Sequence, residues 1–192
     1  MLFISLAISL GPAYSGKLLN SSSSCAGISN YPISHSSYFR LTGGVIGGKP
    51  VLCGGETNGT ESSACYAYNK TSDLWTLLAN MVVPRRGPAV AVVNGALWVT
   101  GGYKAGQGIN SYLKTTEFIF PNGTTSDGPD LPEARWRHCM VTLHDTRVMI
   151  IGTEGLMDGK SVEIFDPDTN TFSKGPDMMF KRGQFGAHFC LC

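Results

Sequence analysis

Residues 84–102, PRRGPAVAVVNGALWVTGG, carry the clearest structural signal in the chain. Two apolar runs, Ala89–Val93 and Ala96–Thr100, flank the dipeptide Asn94-Gly95. An Asn-Gly pair between two such runs is a strong signal for a β-hairpin, because both turn positions need positive φ. Gly101-Gly102 then allows a sharp backbone turn where the second run ends. The stretch predicts two paired strands that end in a tight bend.

The same plan occurs three times along the chain. An earlier copy spans residues 40–55 and a later one spans residues 135–153, and each combines apolar runs, a turn and a closing glycine. The first closing glycines stand at positions 54, 101 and 152, so successive copies are 47 and 51 residues apart. A regular period of this length indicates a repeat architecture.

A second hairpin is predicted after each of these units. Tyr68 precedes Trp75 by seven residues across a polar turn, and Phe165 precedes Phe172 by the same interval. Thr125 stands where the middle copy would carry the second aromatic residue. Each unit therefore predicts four short strands, and we expect the fourth-strand aromatics to fill the space between adjacent units.

This pattern resembles the kelch repeat, in which each copy forms one blade of a β-propeller. The resemblance rests on Gly54-Gly55, Gly101-Gly102, Gly152 and the two aromatic spacings, and it covers residues 40–192. It implies an all-β, kelch-type β-propeller in partial form, with three four-stranded blades plus the first strand of a fourth. The blades are expected at residues 40–82, 83–133 and 134–180, and the partial blade at 181–192. Closed propellers have about four to eight blades, so we expect further blades or self-association to complete the ring.

Composition supports a small-stranded, weakly charged domain. Glycine accounts for 24 of 192 residues and charged residues for 15%, against an ordinary charged share of about 25%. The net charge of +1 gives no electrostatic basis for binding nucleic acid or an anionic membrane. No segment approaches the run of about 18 apolar residues that a membrane-spanning helix needs.

The N-terminus, the sequons and the cysteines predict secretion. Residues 1–15 combine an apolar run with small residues at a signal-peptidase site, and residues 16–39 form a Ser-rich, irregular lead-in. Acceptor sequences for N-glycosylation occur at Asn20, Asn58, Asn69 and Asn122. The six cysteines are an even number, as expected of a disulfide-bonded secreted chain. The alternative is a cytoplasmic protein with reduced, buried thiols.

Cys53 and Cys65 are the predicted disulfide pair. Cys53 ends the second predicted strand of the first blade and Cys65 begins the third. Antiparallel pairing of these strands would bring both residues to the same end of the sheet, within bridging distance. A register shift of one residue would instead place the two side chains on opposite faces.

The chemistry-bearing motifs predict no catalytic centre, metal site or cofactor. Asp166, Asp168 and Asn170 resemble the start of a calcium loop, but Thr171 stands where such a loop needs glycine. The four histidines and six cysteines lack zinc spacing, and no GxSxG motif marks a nucleophile. We therefore expect the protein not to be an enzyme.

Binding is the function that these observations favour. Arginines recur at the start of successive blades, where they would form a contact ring near one rim for acidic or carbonyl-rich partners, unless they pair with nearby carboxylates. These arginines are Arg40, Arg85, Arg86, Arg135, Arg137 and Arg182. The long inter-strand loops at residues 56–64 and 103–113, the second beginning with Tyr103, are further candidate contacts. We expect a secreted, non-catalytic module that binds another protein through one propeller face.

Two other functions stay open. The resemblance also fits a cytoplasmic kelch protein, either a substrate adaptor for a cullin-type ubiquitin ligase or an actin-associated protein. An oxidase or hydrolase carried on a propeller is the alternative from another functional class.

Overall fold

The computed structural model describes residues 38–106, 111–143, 146–154 and 159–184. Every regular element in these ranges is a β-strand. In chain order the strands are β1 (Tyr38–Phe39), β2 (Thr42–Ile46), β3 (Lys49–Cys53), β4 (Glu56–Thr57), β5 (Thr60–Glu61), β6 (Ala64–Asn69), β7 (Leu74–Asn80), β8 (Ala89–Val93), β9 (Ala96–Thr100), β10 (Thr116–Ile119), β11 (Thr125–Gly128), β12 (Cys139–Thr142), β13 (Val148–Ile151), β14 (Val162–Asp166) and β15 (Thr171–Lys174). Within the same ranges, no helix is long and apolar enough to cross a membrane.

Twelve of the strands form three four-stranded antiparallel sheets, which confirms the predicted architecture. Blade 1 has the order β2-β3-β6-β7, blade 2 the order β8-β9-β10-β11, and blade 3 the order β12-β13-β14-β15. Asn94 and Gly95 take φ values of 49° and 77° between β8 and β9, as the predicted hairpin requires. Each blade is therefore a meander of four consecutive strands.

The blades pack face to face through two apolar clusters. Between blades 1 and 2, Val51 and Ala67 meet Leu97, Val99 and Ile119. Between blades 2 and 3, the buried members are Leu131, which follows β11, and residues of β8, β9, β12, β13 and β14. The partly buried rings of Phe118 and Phe172 pack against them. The first strands β2, β8 and β12 are neighbours, so the blades converge on that side. This is the arrangement of successive propeller blades.

The expected role of the fourth-strand aromatics is confirmed for Phe172 and stays a prediction for Trp75, whose face of blade 1 has no described neighbour. Phe172 lies 4.9 Å from Phe165 and 6.4 Å from Trp98, ring centroid to ring centroid, between blades 2 and 3. Trp75 contacts Tyr68 at 5.4 Å, but neither residue belongs to the clusters between the described blades. Both rings lie on the face of blade 1 that points away from blade 2.

Two segments predicted to be irregular contain short strands. Tyr38–Phe39, at the end of the expected lead-in, pairs with Glu56–Thr57 as β1 and β4. Within the expected loop 56–64, β4 pairs with β5 around a turn at Asn58-Gly59. The loop after Gly54-Gly55 is thus an ordered hairpin. The predicted signal peptide, Asn20 and residues 185–192 of the predicted fourth blade lie outside the described residues.

The two ends of each blade differ in their connections. At one end, which we call the Gly-pair end, the second strand leads into the third after Gly54-Gly55, Gly101-Gly102 or Gly152-Thr153. At the other end, which we call the turn end, short turns join the first strand to the second and the third to the fourth. Because the strands alternate in direction, every functional segment can be assigned to one end.

Backbone hydrogen bonds at the Gly-pair end join each blade to the next. Gly55 N–H donates to the carbonyl of Arg85 at 2.9 Å, and Gly102 N–H donates to that of Arg135 at 2.8 Å. Thr153 replaces the second glycine of blade 3, yet its N–H makes the same bond to Arg182 at 3.1 Å. The repeated position therefore contributes a backbone donor, which threonine also supplies.

The predicted disulfide between Cys53 and Cys65 is confirmed. The two residues are directly opposed in the β3–β6 pairing, and their Sγ atoms are 2.08 Å apart. Both side chains are fully buried in the cluster between blades 1 and 2. The bridge therefore ties the two middle strands of blade 1 at the Gly-pair end.

Candidate functional site

Arg85 is a structural residue, which corrects its assignment to the contact ring. Its side chain is fully buried, and its Nη1 donates to the carbonyls of Gly101 and Thr115, both at 2.8 Å. Nη2 donates to Glu117 Oε1 at 2.7 Å. Burial lowers the pKa of Arg85, and the Glu117 carboxylate opposes that shift. The guanidinium therefore neutralises a buried carboxylate and binds carbonyls at the glycine turn.

Arg135 repeats this arrangement in blade 3, so the same correction applies to it. Its Nη1 donates to the carbonyls of Gly152 and Ser161 at 2.9 and 3.1 Å. Nη2 donates to Ser161 Oγ at 2.8 Å and lies 3.9 Å from Glu163 Oε1. A fully buried guanidinium with these contacts is part of the blade core and does not reach a partner.

Backbone geometry places Arg40 and Arg137 at equivalent positions of their blades. Arg40, Gly87, Arg137 and Gln184 all have positive φ, between 53° and 60°. Each of the last three donates its N–H to the carbonyl of the one before it, at 3.0, 2.9 and 2.7 Å in turn. This chain of bonds runs from blade to blade just before the first strands. It holds Arg40 and Arg137 at the Gly-pair end.

The partly exposed arginines lie on aromatic rings. The Cζ atom of Arg86 is 4.2 Å from the ring centroid of Tyr103, and that of Arg137 is 4.2 Å from the centroid of Trp136. Arg40 Cζ is 5.7 Å from the Trp136 ring. The rings of Tyr103, Tyr112 and Trp136 are mutual neighbours, with centroids 5.6–6.0 Å apart. We call these six residues the Arg–aromatic surface.

Carboxylates fix the guanidinium groups of this surface. Glu56 accepts hydrogen bonds from Arg40 at 2.6 Å and from Arg86 through its other oxygen. Arg137 Nη1 lies 2.5 Å from Glu154 Oε2. The side chains of Arg40, Arg86 and Arg137 keep 32%, 22% and 15% of their area exposed. The surface is thus oriented from within the chain but still faces solvent.

Comparison with known proteins agrees with this architecture. The kelch motif family matches residues 157–179, in blade 3. The chain therefore carries a kelch motif in blade 3. Among solved structures, that of YjhT matches with a TM-score of 0.63 and 17% sequence identity over 76% of this chain. The match covers 54% of YjhT, so the kelch chain spans about half the length of that protein. This likeness shows the propeller fold, and the three described blades do not close a ring.

Arg182 and the sequons at Asn69 and Asn122 are not members of the Arg–aromatic surface. Arg182 is exposed, and its backbone bonds to residues 153 and 159 repeat those of Arg85. Asn69 and Asn122 are exposed at the turn end. Across the described parts of the chain, no group of three or more His, Cys, Asp or Glu side chains is placed to hold a metal ion. Asp166 instead accepts backbone bonds from Asp168 and Thr169 within a turn.

Sequence reasoning missed Trp136 of the surface and the carboxylates of Glu56 and Glu154 beside it. Trp136 stands between two arginines in the sequence, and this alternation of cationic and aromatic residues was a usable signal. Glu56, Tyr103 and Glu154 each follow a blade's glycine turn by the same interval. Aligning the three blades at that position would have shown an aromatic residue, Tyr103, in blade 2 and a glutamate in each of the other two blades.

Proposed function

We propose that this chain is a non-catalytic, protein-binding module of a secreted glycoprotein, and that its Arg–aromatic surface makes the contact. The stacking of three guanidinium groups on aromatic rings is the observation that carries this proposal. A stacked guanidinium is held by one face and keeps N–H groups at its edge for oxygen atoms of a partner. Arginine and aromatic residues are also enriched at the centres of protein interfaces.

The charge pattern favours a protein over a polyanion. Glu56, Glu61 and Glu154 lie against the three arginines, so carboxylates offset the positive charge of the surface. A phosphate-rich ligand would meet these carboxylates, whereas nucleic-acid sites are uniformly basic. A protein segment can place a carboxylate or carbonyl oxygen at a guanidinium edge and an apolar side chain on the rings. The surface supports a partner of that kind.

The disulfide and the sequons support secretion. Disulfides persist in oxidising compartments and are rare in the cytosol, and Cys53 pairs with Cys65 here. Asn58, Asn69 and Asn122 are all exposed, as a glycan acceptor must be in the folded protein. Expression in animal cells tests this part, since the product should leave the cell with a mass that N-glycosidase lowers. Retention in the cytosol with an unchanged mass would contradict it.

The binding part is tested with a peptide array. Immobilised peptides that combine acidic and aromatic residues are probed with the wild-type protein, Trp136→Ala and Trp75→Ala. Each variant loses one partly buried tryptophan, but only Trp136 belongs to the Arg–aromatic surface. We expect wild type and Trp75→Ala to retain the same peptides and Trp136→Ala to lose them. Equal retention by both variants, each with an unchanged far-UV circular dichroism spectrum, would contradict the proposal.

A further inference from the structure

The described sequons lie at opposite ends of the propeller. Asn69 ends β6 and Asn122 lies in the β10–β11 turn, so both stand at the turn end. Asn58 lies at the tip of the β4–β5 hairpin, between the second and third strands of blade 1, at the Gly-pair end. Of these three sites, Asn58 alone therefore shares an end with the Arg–aromatic surface.

The hairpin that carries Asn58 also contacts two arginines of that surface. Glu56 begins the hairpin and bonds to Arg40 and Arg86, and Glu61 ends it with an oxygen 3.5 Å from Arg86 Nε. Asn58 is only two residues from Glu56 and is exposed. A substituent on its side chain would project from the hairpin that holds two of the three arginines.

The backbone at this tip suits an asparagine. Asn58 has a φ of 49° and Gly59 a φ of 77°, a left-handed pair that Asn and Gly adopt more readily than other residues. A Cβ atom at Gly59 would have no neighbour within 4 Å, so the tip is open to solvent. The sequon Asn58-Gly59-Thr60 thus lies on a left-handed turn with open space at Gly59.

We propose that an N-glycan on Asn58 restricts access to the Arg–aromatic surface, and that occupancy of this sequon regulates binding there. A glycan is bulky and hydrated, so it excludes large partners from the area beside its attachment point. Glycans on Asn69 or Asn122 stand at the opposite end and leave the surface open. This inference rests on the proposed secretion and on the binding role of the surface.

The experiment uses the whole chain from animal cells and three matched variants. Thr60→Ala, Thr71→Ala and Thr124→Ala each remove the hydroxyl residue of one sequon, at Asn58, Asn69 and Asn122 in turn. Asn58→Asp is a second variant at the same tip that also tolerates positive φ. Peptide mapping gives the occupancy of each site. Phenylglyoxal attached to a polyethylene glycol chain then reports how accessible Arg40 and Arg86 are to a bulky reagent.

We expect Asn58 to be occupied, and the bulky reagent to modify both arginines severalfold faster in Thr60→Ala and Asn58→Asp than in wild type. Free phenylglyoxal should react equally with all forms, and Thr71→Ala and Thr124→Ala should match wild type. An unoccupied Asn58 beside an occupied Asn69 or Asn122, or an unchanged rate in Thr60→Ala, would overturn the inference alone. No glycan at any sequon would overturn it together with the proposed secretion.

Discussion

Replacing Arg85 with alanine should destabilise the chain far more than replacing its neighbour Arg86. Arg85 is fully buried and pairs at 2.7 Å with Glu117, whose side chain is 3% exposed. Removing one partner of a buried ion pair costs about 3–5 kcal/mol of unfolding free energy. Glu117 keeps hydrogen bonds from the Val82 and Val83 amides, so we expect about 3 kcal/mol.

Arg86→Ala is the matched control, because it removes the same side chain one position along. Arg86 is partly exposed and its ion pair with Glu56 lies near solvent, so we expect a loss of about 1 kcal/mol or less. Urea unfolding at pH 7, followed by far-UV circular dichroism, measures both values. Losses that differ by less than about 1 kcal/mol would refute the assignment of Arg85 to the blade core.

Three further predictions concern the blade structure. Replacing Cys53 and Cys65 together with serine should lower the unfolding free energy by about 3 kcal/mol, as the chain-entropy estimate gives for their sequence separation of 12. Reducing buffer should lower the unfolding free energy of wild type by a similar amount, and an unchanged urea midpoint would contradict this. Burial and the nearby charge of Arg135 lower the pKa of His138 to about 3, so this group should leave the unfolding free energy level above pH 6.5 and lower it by about 2 kcal/mol by pH 5. Urea unfolding at a series of pH values should show that His138→Asn lacks this decrease, and identical pH profiles of the two proteins would contradict it. Gly101→Ala should lower the unfolding free energy by several kcal/mol because the new Cβ would lie 2.3 Å from the Arg135 carbonyl oxygen, whereas Gly95→Ala, which has open space and also a positive φ, should lower it by about 1–2 kcal/mol. Equal thermal midpoints for the two variants would show that the close approach at Gly101 is absent.

The strand architecture could be predicted from sequence because its signals are local. The Asn94-Gly95 turn, the apolar runs beside it and the repeated glycines all act within one hairpin. The Cys53–Cys65 pairing followed from the same hairpin logic, since the two strands are consecutive within blade 1. Short-range features of this kind need no knowledge of how the blades pack together.

The division of the arginines into buried and exposed groups could not be predicted in the same way. Arg85 and Arg86 are adjacent and chemically identical, and only contacts made by the folded blade separate them. The buried one meets Glu117, which is 32 residues away in sequence, and the exposed one meets Glu56, which is 30 residues away. Burial therefore depends on the assembled blade and not on the local pattern.

The surface itself depends on contacts between blades. Trp136 and Arg40 lie just before the first strands of blades 3 and 1, and Tyr103 and Tyr112 lie between β9 and β10 of blade 2. Sequence repetition predicts that such positions recur at one end of the propeller, but it does not show which rings and guanidinium groups meet. Those contacts are fixed only when the blades pack against one another.

Isothermal titration calorimetry of one acidic, aromatic peptide against wild type, Arg86→Ala and Lys70→Ala decides whether the Arg–aromatic surface binds it. The peptide is one that wild type retains on the array. Both variants lose one positive charge, but Arg86 belongs to the Arg–aromatic surface, whereas Lys70 is exposed at the turn end. We predict that Arg86→Ala binds about tenfold more weakly than wild type, which corresponds to about 1.4 kcal/mol, and that Lys70→Ala binds as wild type does. Equal affinity of the two variants for the peptide would contradict the assignment of binding to this surface.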